Sequence, residues 1–444
     1  MKRLIQTIQN IWKIEDLRTR ILYTLGLVFI YRLGSYIVLP GVDPIQLEQI
    51  SQGGGAKGIF GLLDIFAGGA FSRGSIFALG IMPYISASIV MQLMTMAIPS
   101  LQKMQKEGES GRKKINQYTR LLTVGITAAQ ASGYVVYLKN GLGANVVINE
   151  GLFWLSSVFI LTAGTIFIMW MGEKITDRGI GNGISLLIMI GIMARLPFAL
   201  ISEFQGRLNE GGGLVTFLLE IAVLLAVIVV VILLVQGTRK IPVQYAKRVV
   251  GNKQYGGVRQ YIPLKVNAAG VMPIIFAQAI MFIPASIAQF FPNSSAMQGT
   301  LAITNPGSFW YNFIDSVLII LFTYFYTAII VNPVQMADDM KRNGGFIPGV
   351  KPGKQTANFI DNVMSRITFP GAVLLAFIAL MPSFARIFGV NTQFAGFFGG
   401  TSLLIMVGVI LDTLQQIESH LLMRHYDGLM KSGRIKGRTA VSMQ

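Results

Sequence analysis

The chain has 444 residues, of which 52% are hydrophobic and only 13% are charged, and its mean hydropathy is +0.58. A soluble domain usually carries about 25% charged residues, so this composition argues against a soluble enzyme. The net charge is +17, from 37 Lys and Arg against 20 Asp and Glu, as expected where a membrane protein retains positive residues in its cytoplasmic loops. Because cysteine is absent, disulfides, thiolate nucleophiles and cysteine-bound metals are excluded. We expect no enzymatic activity, cofactor or metal site.

Residues 1–20 come before the first long apolar run, which begins only at Ile21. Basic residues such as Arg3 and Lys13 surround apolar residues such as Leu4 and Trp12. This pattern predicts an amphipathic helix on the cytoplasmic surface of the membrane, and it does not resemble a cleavable signal peptide.

Ten stretches are apolar enough to cross a bilayer, which takes about 20 residues. They are 21–39, 75–98, 121–138, 152–171, 184–201, 214–235, 271–291, 313–331, 367–385 and 394–411. With the N-terminus inside, 30 Lys and Arg lie in cytoplasmic segments and 6 in outer ones. This asymmetry predicts ten spans with both termini in the cytoplasm.

Two inner segments are longer than a link between two helices requires. Residues 237–268 carry seven positive charges and no acidic residue, and residues 332–366 contain a Gly- and Pro-rich basic stretch. The charge could serve topology alone. Long loops are often functional, however, and a basic loop suits docking on RNA phosphates or an acidic protein surface. The length favours docking.

Residues 52–75 contain a short apolar run, IFGLLDIFA, between glycines. Its nine residues would reach about 14 Å as a helix, roughly half of the hydrocarbon core. Two interpretations remain open: an interfacial helix on the outer surface, or a re-entrant half-helix that occupies a pore entrance.

A secondary solute transporter is the alternative function for a chain of this kind. Transporters place ionisable groups in mid-span, whereas here Arg32, Glu220 and Asp315 lie near predicted span ends. Polar residues such as Ser86 and Gln92 could bond across helices for about 0.6 kcal/mol each, or they could be ordinary packing polarity.

Six strings carry a resemblance to a known family. They include GIFGLLDIFAGGAFSRGSIFALGIMPYISASIVMQLM and MADDMKRNGGFIPGVKPGKQT, and they lie at 58–94, 175–185, 242–248, 263–277, 336–356 and 399–412. Together they resemble the SecY family, the channel subunits of the Sec protein translocon. The resemblance covers nearly the whole chain, in order.

The resemblance implies an all-α membrane protein whose ten transmembrane helices form two inverted pseudo-symmetric halves. Spans 1–5 would occupy residues 21–201 and include a re-entrant plug at 59–72, and spans 6–10 would occupy 214–411. A cytoplasmic tail at 412–444 would follow. The implied function is a passive protein-conducting channel that translocates unfolded secretory proteins and releases transmembrane segments laterally.

The resemblance also implies roles for individual residues, and for the six isoleucines of the pore ring only the resemblance indicates a role. The pore ring would be Ile81, Ile85, Ile188, Ile192, Ile275 and Ile405. The plug would contain Ile59, Phe60, Leu62, Leu63, Asp64, Ile65 and Phe66. The lateral gate would include Ser86, Gln92, Gln278 and Phe282. The docking surface for SecA or the ribosome would contain Arg239, Lys240, Lys247, Arg248, Lys253 and Lys351.

One docking residue departs from the family pattern. Lys351 stands where the family commonly has arginine, so the charge is retained but the bidentate geometry of a guanidinium is lost.

The implied partners are the SecE and SecG subunits, the SecA motor ATPase and the ribosome. The other implied partners are signal peptides, nascent chains, membrane lipids and further accessory membrane proteins of the translocon. The implied location is the bacterial plasma (inner) membrane, as a multi-pass protein with cytoplasmic N- and C-termini.

Overall fold

The computed structural model describes residues 12, 14–43, 47, 64–140, 149–210, 213–245, 248–250, 253–255, 259–290 and 307–431. The chain forms two compact units. The first unit contains Met1–Gly55, Leu63–Ala194 and Val409–Gln444, and the second contains Ala56–Leu62 and Arg195–Gly408.

Helices dominate the part of the chain that the structure describes. The helices before the first strand are α1 (Glu15–Gly34), α2 (Met82–Ala97), α3 (Pro99–Lys106), α4 (Glu109–Asn140), α5 (Glu150–Arg178), α6 (Gly183–Glu210) and α7 (Gly213–Gln236). Those after it are α8 (Met272–Phe290), α9 (Phe309–Ile330), α10 (Pro333–Arg342), α11 (Lys354–Ile387), α12 (Thr392–Ala395) and α13 (Gly400–Lys431). The strands are β1 (Thr238–Tyr245), β2 (Arg248–Val250), β3 (Lys253–Tyr255), β4 (Arg259–Lys265) and β5 (Gly345–Phe346).

Each of the ten predicted stretches overlaps one of the long helices. Among the described residues, seven helices are long and apolar enough to cross a membrane, or eight if the bent pair α2 and α3 forms one span. The predicted multi-pass helical architecture is therefore confirmed, and the number of ten spans stays a prediction.

The second predicted span differs at both ends from the helix that the structure contains. Residues 75–81 form turns, and helix α2 begins only at Met82. It ends at Ala97 because Ile98 precedes Pro99, and the residue before a proline is driven out of the helical conformation. Ile98 is accordingly extended, and the chain bends by 104° into α3.

The turns before α2 are held inside the first unit by the strand-like segment that follows α1. Val38 forms an antiparallel bridge with Ser75. The Leu39 amide donates to the Gly74 carbonyl at 2.8 Å, and the Ile76 amide donates to the Ile37 carbonyl at 2.9 Å. These bonds satisfy backbone groups that would otherwise be buried without partners.

The two long basic segments of the second unit fold together, which their sequence did not predict. Strands β4, β1 and β5 form one antiparallel sheet in that order, so that the segment 237–268 pairs with the segment 332–366. An apolar core lies beneath the sheet and contains Ile241, Val243, Leu264, Met340, Ile347, Ile360 and Met364. We call these residues the sheet core. The two long basic segments therefore contain strands that pair with each other.

A second cluster in the same unit is made of buried charges. Arg207 Nε donates to Glu203 Oε1 at 2.9 Å, and Arg207 Nη2 donates to Glu220 Oε1 at 2.5 Å. The same Nη2 donates to the Gly389 carbonyl at 2.9 Å, and Glu203 Oε2 accepts from the Asn391 amide at 2.8 Å. This buried charge cluster ties the end of α6 to the first turns of α7 and to the turn between α11 and α12.

Candidate functional site

The predicted plug is described from Asp64 onward, and Ile59, Phe60, Leu62 and Leu63 lie outside the described residues. Asp64–Phe66 are helical, and Asp64 and Phe66 are buried in the first unit. The Asp64 carboxylate accepts a hydrogen bond from the Ser72 amide at 2.8 Å. That bond closes the turn that follows the helical residues.

Four of the predicted ring residues belong to the first unit. Ile81 immediately precedes α2, and Ile85 lies one turn later with its amide donating to the Ile81 carbonyl at 3.1 Å. Ile188 and Ile192 lie four residues apart on α6, and both are buried. A small cavity is lined by Ile81, Ile188 and the plug residue Phe66, among others. The structure thus brings the plug and two ring residues together.

The other two ring residues belong to the second unit. Ile275 lies on α8 and is half-buried, and Ile405 lies on α13 and is buried. The Gln278 side chain on α8 donates to the Thr401 hydroxyl on α13. Because residues three or four apart share a helix face, this bond aligns the faces that carry Ile275 and Ile405.

The predicted gate residues lie on α2 and α8. Ser86 is half-buried on α2, and Gln92 is exposed one to two turns later, where its amide donates to Ser88 Oγ at 3.4 Å. Phe282 lies within α8. Gln278 donates to Thr401, which belongs to the same unit. If a gate opened at Gln278, this hydrogen bond would have to be kept or replaced.

The predicted docking residues divide according to what the structure describes. Arg239 and Lys240 are exposed at the start of β1. Lys351 is exposed in the turn before α11, where its carbonyl accepts from Thr356 Oγ1 at 2.9 Å. Arg248 and Lys253 lie on the short β2–β3 hairpin, and Lys247 lies outside the described residues.

The sheet beneath these cations had a weak signal in the sequence. Ile241 and Val243 alternate with polar and proline residues, which is the period of a half-buried strand. Pro242 argues against a central strand, yet β1 lies between β4 and β5. The buried charge cluster had one local signal, since Glu203 and Arg207 lie four residues apart on α6 and can pair across one helical turn.

Comparison with known proteins decides the family. The SecY family model matches residues 75–414, which is more than half of the chain. The chain belongs to the SecY family. The predicted resemblance is confirmed.

Two relatives of the SecY family show how far the likeness extends. A protein translocase subunit SecY of Streptomyces coelicolor is 45% identical over 438 residues, which cover 95% of this chain and 98% of that protein. The protein translocase subunit SecY of Mycobacterium bovis is 44% identical over 434 residues, with 94% and 97% covered. The match therefore extends over nearly the whole length of each relative.

Solved structures share the SecY fold with this chain. A structure described as a protein conducting channel has a TM-score of 0.64 at 16% identity and covers 90% of this chain and 92% of that one. Sec61 in the canine ribosome-channel complex from the endoplasmic reticulum has a TM-score of 0.59 at 16% identity, with the same coverage. The predicted all-α multi-pass fold is confirmed, and the count of ten spans stays a prediction.

Proposed function

We propose that this chain is the channel subunit through which unfolded secretory proteins cross the plasma membrane, and from which apolar segments pass sideways into lipid. The observation that carries the proposal is the 45% identity to a protein translocase subunit over 95% of the chain. The solute transporter is not favoured, because the similar chains and structures are translocase and channel proteins.

The channel would be sealed at rest by an apolar ring and a plug. A narrow apolar neck excludes water, and an ion cannot cross without its hydration shell. Isoleucine suits this task because its β-branched side chain is stiff and offers no polar group to a passing polypeptide. The ring would be formed by Ile81, Ile85, Ile188, Ile192, Ile275 and Ile405. Burial of Phe66 beside Ile81 and Ile188 supports a plug that packs on this ring.

The channel would be passive, since its driving force would come from SecA or the translating ribosome. These partners would dock on the cytoplasmic face, where Arg239, Lys240 and Lys351 are exposed around one sheet. The division of 30 against 6 positive residues supports this orientation, with both termini in the cytoplasm. SecE and SecG would complete the complex in the bacterial inner membrane.

Sideways release would use a lateral gate between spans two and three on one side and seven and eight on the other. The polar residues Ser86, Gln92 and Gln278, with Phe282, would contact an arriving signal peptide. Hydrogen bonds between membrane helices average only about 0.6 kcal/mol. A signal peptide could therefore separate such helices at modest cost.

Reconstitution tests the proposal directly. We expect vesicles that contain this chain with SecE to protect a signal-bearing preprotein from external protease when SecA and ATP are supplied. The matched control is the same preprotein without its signal sequence, which should stay accessible. A reconstituted, folded complex that protects neither preprotein would contradict the proposal.

A further inference from the structure

The Gly68 carbonyl of the plug segment accepts hydrogen bonds from two arginine side chains. Arg73 Nη2 donates at 2.9 Å, and Arg32 Nη1 donates at 3.4 Å. A carbonyl oxygen has two lone pairs, so both bonds can form together. Arg73 belongs to the same turn as Gly68, whereas Arg32 lies in the last turn of α1. One backbone group is therefore tied both to its own turn and to a separate membrane helix.

Tyr36 orients the two guanidinium groups. Arg73 lies 4.2 Å from the centre of the Tyr36 ring, and Arg32 lies 5.5 Å from it. Arg32 Nη2 also donates to the Tyr36 hydroxyl at 3.4 Å. A cation over an aromatic face is attracted by the ring quadrupole. The ring thus holds two like charges beside one carbonyl although they repel each other.

Gly68 also packs closely against α6, beside the arginine pair. A Cβ atom on Gly68 would lie 2.7 Å from Arg32 Nη1 and 3.0 Å from the Gly191 Cα atom, and Gly68 has a φ of +64°. A Cβ atom on Gly191 would in turn clash with the Phe66 carbonyl oxygen. Glycine is required at both positions, because the turn occupies the narrow space between the arginine pair and α6.

The chain on the two sides of Gly68 is held differently. Downstream, Tyr134 Oη donates to the Phe71 carbonyl at 2.6 Å, and the backbone bonds of Gly74 and Ile76 to the segment after α1 follow. Next to Gly68, Gly69 also has a positive φ of 88°. Two successive glycines can adopt backbone dihedral angles that other residues rarely adopt, so this turn can act as a hinge, while the chain beyond Phe71 stays anchored.

We propose that Arg32, Arg73 and Tyr36 form a latch that holds the plug in its resting position by binding the Gly68 carbonyl. Release of this carbonyl removes two of the bonds that hold residues 64–67 at rest. The bonds of Asp64 to the Gly69 and Ser72 amides must also break when these residues move about the Gly68–Gly69 hinge, and the turns after Phe71 stay in place. The three side chains are positioning residues for closure, because they act on the plug and not on the translocating polypeptide. The inference rests on the proposed channel function.

Planar-bilayer recordings of the resting complex test the latch. The double variant Arg32→Gln/Arg73→Gln should raise the open fraction about tenfold, which corresponds to about 1.4 kcal/mol. Each single variant should leak less than the double, because the remaining arginine still donates to the same carbonyl. Arg73→Lys should leak less than Arg73→Gln, since it retains a cationic donor. The control Lys139→Gln removes an exposed cation that pairs with Glu150 in the same unit and should not leak.

Thiol labelling gives a second readout. Because the chain contains no cysteine, Ile65→Cys introduces a single thiol in the plug. Its labelling by a membrane-impermeant maleimide should accelerate about tenfold in the double-variant background, in step with the open fraction, and should stay unchanged with Lys139→Gln.

If the double variant does not fold, Tyr36→Leu provides the second test. Tyr36 is 54% exposed, so loss of its ring should not disturb the packing of the unit. Wild-type conductance and labelling in either folded variant would overturn the latch. Failure of both variants to fold would also overturn it, since these side chains would then hold the unit together. Failure of the proposed function would look different: the unmodified chain would not protect a preprotein.

Discussion

Where α6 ends and α7 begins, the charged groups of the second unit are buried and paired, whereas around the β4–β1–β5 sheet they are exposed and the interior is apolar. Glu203 is 3% exposed and Glu220 is 7% exposed in the buried charge cluster. Around the sheet, Arg239, Lys240 and Lys351 are all exposed. Helices α7 and α11 each extend from one region to the other. Each helix therefore has buried, paired charges near one end and exposed charges around an apolar interior near the other.

The difference separates charges that hold the fold from charges that are available to a partner. Removing one member of a buried ion pair leaves an uncompensated charge and is strongly destabilising. An exposed cation contributes little to stability because water already solvates it. We therefore expect substitutions in the buried charge cluster to change unfolding, and substitutions around the sheet surface to change binding.

The largest effect should follow Arg207→Met. This change keeps an apolar stem of similar length but leaves Glu203 and Glu220 buried without the guanidinium. We expect a loss of about 3–5 kcal/mol in the free energy of unfolding, measured by denaturation of the complex in detergent.

A triple variant sharpens that test. Arg207→Met combined with Glu203→Leu and Glu220→Leu removes the whole cluster, and similar-volume apolar replacement of buried ion networks is often nearly neutral. It should recover most of the lost stability. A triple variant as unstable as Arg207→Met would show that the desolvated carboxylates are not the cause.

An intermediate effect should follow truncation in the sheet core. Ile360 is 1% exposed on α11 and packs beneath the sheet. Ile360→Ala should cost about 2–5 kcal/mol of local stability, and Ile360→Val about 0.5–1.5 kcal/mol. Hydrogen exchange of the β1 and β4 amides checks both values. Equal protection in the two variants would mean that the sheet does not depend on this core.

The smallest effect on stability should follow reversal of the exposed cations. Arg239→Glu, Lys240→Glu and Lys351→Glu together should change the free energy of unfolding by only about 0.5 kcal/mol per substitution. Binding of SecA or the ribosome should nevertheless weaken about tenfold at low salt and lose most of its salt dependence. Unchanged binding at low ionic strength would remove these three residues from the docking surface.

The sequence predicts the long helices well because their signal is the length and apolarity of a membrane span. The short apolar run that includes Asp64–Phe66 is too short to cross a bilayer, and the choice between an interfacial and a re-entrant helix stays a prediction. What the sequence misplaces is the region 75–81, which is apolar but adopts turns because its backbone groups bond to the segment after α1. Apolarity alone does not distinguish a segment that forms a membrane-spanning helix from one that forms turns.

The clusters of the second unit could not be predicted in full because several of the contacts that complete them join residues distant in sequence. Arg207 contacts Gly389, and Gln244 pairs with Phe346 across the sheet. Nothing in the local pattern around Arg207 distinguishes a buried ion from one that faces water. The ring isoleucines are a different case, since only the resemblance to the SecY family singles them out. The roles of the ring and gate residues stay predictions.

Single-channel conductance of the complex tests the central claim most directly, with the wild type compared to Ile275→Asn/Ile405→Asn and Ile275→Leu/Ile405→Leu. We predict that the wild type is closed at rest and opens when a signal peptide binds. The asparagine pair should conduct ions at rest because polar side chains wet the neck, and the leucine pair should resemble the wild type because volume and apolarity are retained. A folded wild type that never conducts, or an asparagine pair as tight to chloride as the wild type, would contradict an apolar seal in a protein-conducting channel.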